Sequence, residues 1–98
     1  MTFDDDLLRR AADLAIGYAD AIDERAVAPT ADAIAALERF DEELPDEGSN
    51  ATETLNLLAD TGGPATIAST GRQYYGFVNG ATFPVALGAS ILVDAWDQ

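Results

Sequence analysis

The densest set of side chains able to hold a cation lies in the stretch DEELPDEGSN, where Asp41, Glu42, Glu43, Asp46 and Glu47 crowd together. A calcium loop alternates its ligands around a central glycine and closes on a bidentate glutamate. This run has neither that spacing nor a histidine to help, so it reads as a solvated loop that binds no metal. Other chemistry is scarcer. Eighteen acidic residues face five basic ones, all of them arginine, and the chain contains no lysine, histidine or cysteine. That removes thiolate nucleophiles and disulfides, imidazole bases, and any lysine that could bind a carbonyl cofactor. No Asp-Ser-Leu triplet offers the attachment serine of a carrier protein, and the Asn50-Ala51-Thr52 sequon means nothing without export. Catalytic residues are therefore assigned to none of these positions.

The formal charge of −13 excludes whole classes of partner. Nucleic acid needs a basic patch, and an anionic membrane surface repels this chain for the same reason. Acid excess with arginine as the sole base fits a salt-rich, halophile-like cytoplasm. There the Debye length falls to roughly 3 Å and carboxylates hydrate the surface without repelling one another. The opening MTFDDDLLRR has acids where a signal peptide needs a basic region, so the expected location is cytoplasmic. From Gln73 to Val93 no residue is charged, but Asn79, three glycines and Pro84 interrupt the run, and it is too short and broken for a membrane span.

The elements that carry these residues are mainly helical. Leu7, Ala11, Leu14, Tyr18 and Ile22 recur at three-and-four spacing and predict an amphipathic helix over residues 4–24, with Thr2 or one of Asp4 to Asp6 as cap. Its second face, Leu8, Ala12, Ala15 and Ala19, is also small and apolar, so a partner could grip it from two sides. Thr30 is placed to cap a second helix over 31–40 with Ile34, Leu37 and Phe40 inward. Asn50 and Glu53 form a capping box for a third over 51–60, with Leu55, Leu58 and Ala59 inward, and Thr61-Gly62-Gly63-Pro64 ends it. Tyr74 to Val78 reads as an extended aromatic segment and Asn79-Gly80 as a turn. Thr82 and Pro84 open a final helix to Trp96, apolar almost all round, which needs burial on every side. Two parts result: an N-terminal helical segment, 1–72, and an aromatic turn with an apolar interface helix, 73–98.

The ordered landmarks Tyr74-Tyr75, Gly76-Phe77, Asn79-Gly80, Pro84, Val85 to Val93 and Trp96-Asp97-Gln98 resemble the N-terminal portion of group II pyridoxal-phosphate-dependent amino acid decarboxylases. That family includes the aromatic-amino-acid and glutamate decarboxylases and is often placed in the "aspartate aminotransferase family". The stretch RAVAPTADAIAALERFDEELPDEGSNATETLNLL looks like the family's connector, so the resemblance spans nearly this whole chain but only the leading part of such an enzyme. Where many relatives carry His-Pro before the aromatic pair, this chain has Arg72-Gln73.

The resemblance implies the N-terminal part of a type I PLP-enzyme fold, with the catalytic domain absent from this chain. It implies pyridoxal phosphate in the full enzyme and none bound by this chain alone, because the family's cofactor lysine, ring aspartate and stacking histidine all lie downstream. The turn Phe77, Val78, Asn79 and Gly80 would line the substrate entrance. The leading helices would wrap a neighbouring subunit, making Leu7, Leu14, Tyr18, Tyr75, Leu87, Ile91 and Trp96 interface residues. The partner is then a homodimer mate or a downstream catalytic polypeptide, with an amino acid substrate only in the complete lyase. A rival reading is a free-standing acidic helical interaction module.

Overall fold

The computed structural model describes residues 4–76 and 82–98. Four α-helices succeed one another: α1 (Asp5–Ala21), α2 (Ala31–Ala35), α3 (Ala51–Leu57) and α4 (Pro84–Trp96). The mainly helical class stands, and no strand occurs among the described residues. Tyr74 to Gly76 is irregular. Phe77 and Val78, and the Asn79-Gly80 turn, lie outside the described residues.

Local chemistry explains the helix starts. The Asp4 carboxylate accepts from the Leu7 amide at 3.0 Å, and Asp5 and Asp6 add negative charge beside the positive end of the α1 dipole. Thr30 Oγ1 accepts from Ala33 at 3.1 Å, and Asn50 Oδ1 from Glu53 at 3.0 Å. Each cap satisfies one of the N–H groups a helix leaves unbonded in its first turn.

Helix ends depart from the sequence reading. The first helix tightens after Ala21 into a 3-10 turn, Ile22–Glu24, and the second tightens into another, Ala36–Phe40. Gly62 and Gly63 do not cap α3 in the left-handed region. Their φ values are −77° and −53°, and the chain runs on through a wide π turn, Leu58–Gly62, into a 3-10 turn, Gly63–Ala65. Pro64 sits in the first turn of that last element, where its missing N–H costs nothing. Thr82 does not cap α4 either. Phe83 occupies the cap position, and no side chain accepts from the helix N-terminus. At the other end Asp97 is left-handed, φ 58°, and its N–H reaches back to Val93 and Asp94.

The interior is small. Ile22, Thr61 and Ala68 are buried; Leu7, Leu14, Leu55 and Ala59 are half-covered. The expected inward faces are only partly inward: Ile34 is 48% exposed, Leu37 and Phe40 remain open, and Leu58 is 60% exposed. For Leu37, Phe40 and Leu58 a change of pitch accounts for this, because a 3-10 or π turn moves side chains off the stripe that a period of 3.6 would keep in line. Polar contacts do much of the closing instead. The Ala68 amide donates to Val27 O at 2.8 Å, and the Arg72 amide donates to Asp23 Oδ1 at 2.8 Å. Gly71 packs against Ile22 and Asp23 so closely that a Cβ there would lie 3.3 Å from Asp23 Oδ1.

Candidate interaction surface

A compact monomer of 10.3 kDa exposes about 5,400 Å² by the usual mass scaling, yet this chain exposes 8126 Å². The radius of gyration, 15.4 Å, likewise exceeds the roughly 13 Å of a compact domain this size. Part of the open surface belongs to α4. Every residue of that helix is exposed, from Val85 at 80% to Trp96 at 61%. Val85, Ala89, Leu92 and Trp96 recur at helical spacing and form one continuous apolar stripe, and no charged side chain precedes Asp94. Such a face pulls toward any cover that removes it from water, at about 25 cal/mol per Å² of apolar area.

Two open apolar grooves stand out among the other described residues. One, about 930 Å³, lies between α1, the connector after it and the Leu58–Gly62 turn, with Leu14, Tyr18, Pro29 and Leu58 in its wall. The other, about 640 Å³, is walled by Leu7, Leu8, Phe40 and Leu55; Leu58 lines both. Asp13, Asp60 and Arg25 are the charged residues around the larger groove.

Arg25 is committed to holding that groove's wall together. Its guanidinium donates to the carbonyls of Gly63, at 3.1 Å, and of Thr66, and to Thr66 Oγ1 at 3.3 Å. The same cation lies 5.9 Å from the centre of the Tyr18 ring. Thr66 Oγ1 gives its one proton to Gly63 O at 2.7 Å, which leaves Tyr18 as donor in the 2.7 Å hydroxyl pair between them. The α1 end, the connector and the 63–66 turn are thus one hydrogen-bonded unit. Thr61 Oγ1, buried beneath, has no partner.

The sequence-derived interface residues divide. Leu7 and Leu14 are half-buried by their own chain, so α1 spends its main face at home. Its second face stays open at Leu8, Ala15 and Ala19, while Ala12 is half-covered. Tyr18 is partly open but bonded to Thr66. Tyr75, Leu87, Ile91 and Trp96 are all exposed, Tyr75 at 90%. Phe77, Val78, Asn79 and Gly80 fall outside the described residues, so no geometry attaches to the entrance reading. Among the described residues no three carboxylates converge where a metal ion could be held, and no helix is long and apolar enough to cross a membrane. Sequence reasoning missed Arg25, Thr66 and Asp23. The signal was there for Arg25: a lone cation in the apolar connector RAVAP, with Ala21 and Pro29 rather than carboxylates four residues away.

Set against family models, characterised proteins and solved structures, the chain matches none.

Proposed function

We propose that this chain is the N-terminal dimerisation and substrate-entrance segment of a pyridoxal-phosphate-dependent amino acid decarboxylase, without catalytic activity of its own. The ordered landmarks from Tyr74-Tyr75 to Trp96-Asp97-Gln98 support the family. One structural observation supports the role: α4 is exposed over its whole length and uncharged from Pro84 to Val93, the state expected of an element whose cover is supplied by other protein. The residues present do not fit the cofactor, since no lysine can anchor it and no histidine can stack on it. Cofactor, amino acid and carboxyl loss therefore belong to a downstream catalytic domain, and this segment contributes contacts and one wall of the entrance. Sequencing the coding DNA beyond the Gln98 codon tests the reading. A continuing or adjacent frame with a lysine-bearing catalytic domain supports it; a stop with no such frame nearby overturns it.

One observation favours the second reading, a free-standing acidic interaction module. Residues 5–72 close on themselves through Arg25, through Asp23 with Arg72, and through Val27 with Ala68, with no further protein. Purified alone, a module of this kind unfolds cooperatively, whereas a fragment dependent on a missing domain melts without a defined transition.

A further inference from the structure

The described residues carry an open apolar groove and an apolar helix that their own chain leaves exposed. We propose that two copies exchange these elements: α4 of each seats its Val85, Leu92 and Trp96 stripe in the other's groove between α1 and the Leu58–Gly62 turn. The inference rests on the dimerisation reading above and adds where the partner's helix goes.

Charge selects the occupant. A body carrying sixteen of the eighteen acids repels any acidic segment, and the larger groove is flanked by the carboxylates of Asp13 and Asp60. Arg25, the one cation there, is taken up by Gly63 and Thr66. An occupant must therefore bring an apolar face and keep its carboxylates off it. From Pro84 to Val93, α4 has no ionised group, and Asp94, two positions from both Leu92 and Trp96, lies about 160° round the helix from that stripe. Its N-terminus also lacks a side-chain cap, so it carries the partial positive charge of the helix dipole toward a groove with acidic flanks. A basic partner would suit the flanks equally, but the uncharged stripe of α4 offers such a partner no carboxylate.

Area points the same way. The chain exposes about 2,700 Å² more than a compact monomer of its mass, enough to supply the roughly 1,000–2,500 Å² that each partner gives to an obligate interface. Reciprocal exchange uses one helix and one groove on each copy, so it closes at two and leaves neither element open for a third.

The test is complementation, read by sedimentation and by the emission of Trp96, the only tryptophan. Leu92→Asp spoils the helix and leaves the groove; Leu58→Glu spoils the groove and leaves the helix. Ala15→Glu, also on the groove and exposed, replaces Leu58→Glu should the latter lose its helical circular dichroism. The wild type sediments as a dimer with blue-shifted Trp96 emission, and each variant dissociates at least about 100-fold more easily. Mixing the two variants restores a one-to-one dimer through the single intact seat, and part of the blue shift returns. Variants that stay monomeric on mixing overturn the exchange; so does a Leu58→Glu chain that dimerises as tightly as the wild type, which leaves dimerisation through paired α4 helices. A monomeric wild type overturns exchange and dimerisation together.

Discussion

Residues 4–76 and the helix α4 answer the problem of holding an apolar surface in opposite ways. The first region has sixteen of the eighteen acids and all five arginines, and it closes around Ile22, Thr61 and Ala68 with polar clasps. In α4 the larger apolar side chains are gathered without a clasp and lie open. Hydrophobicity alone does not decide what goes inside. An alanine and a threonine are buried because the chain folds back over them, while Trp96 and Val85 are exposed because nothing of their own chain reaches them. What distinguishes the regions is the polar contacts that bring distant segments together.

The comparison breaks first at Arg25. Hydrogen bonds to a charged group are worth about 1.5–3 kcal/mol each when well formed, and partial exposure reduces the sum here. Arg25→Ala is expected to cost about 3 kcal/mol in urea unfolding followed by circular dichroism. Arg25→Lys should recover less than half, because one ammonium cannot reproduce a planar fork reaching Gly63 and Thr66. An alanine variant as stable as the wild type would mean the clasp is ornamental. Next comes Ile22→Ala, at about 2 kcal/mol, the low end for a buried large-to-small change because so thin a core can collapse into the gap. Should Ile22→Ala cost more than Arg25→Ala, apolar packing rather than the clasp would hold this region.

How much of this was legible follows the same division. Caps are local, so the roles of Thr30 and Asn50 could be read from residues within three positions of each, and the cap of α1 narrowed to Thr2 or one of Asp4 to Asp6, of which the structure uses Asp4. The need of α4 for cover could be read from its composition, since a helix apolar almost all round calls for burial on every side. Pitch was not legible. Nothing in Leu58-Ala59-Asp60-Thr61 announces a π turn, and that turn puts Thr61 inside while Leu58 turns out. The Arg25 clasp spans thirty-eight residues to Gly63, and its acceptors are backbone carbonyls, which leave no mark on side-chain patterns.

Capping sharpens the contrast at a smaller scale. Asn50→Ala should cost about 1 kcal/mol, since it strands the Glu53 amide. Thr82→Ala, by contrast, should leave α4 helicity unchanged, because Thr82 caps nothing. Equal losses from the two variants would show that α4 is capped after all. Thr61→Val tests the interior with the opposite sign. Its Oγ1 is buried without a partner, and an isosteric methyl removes that unmet group. Stability should rise by up to about 1 kcal/mol, visible as a higher midpoint with an unchanged slope. A fall would show that the hydroxyl finds a partner, such as an ordered water.

The smallest expected effect is the most discriminating. Leu92→Glu puts a charge on an exposed face of a helix that its own chain leaves uncovered, so the folded monomer neither gains nor loses a buried group. In dilute solution its urea midpoint should match the wild type within about 0.5 kcal/mol, the usual range for surface changes. The difference should emerge only with concentration. If copies cover one another's helices, the wild type grows more stable as protein is added, by mass action on the folded dimer, and the glutamate variant does not. A variant already weaker at high dilution would mean that α4 packs on its own body, and the two regions would then be one. Parallel curves at every concentration would mean that nothing covers Leu92 at all.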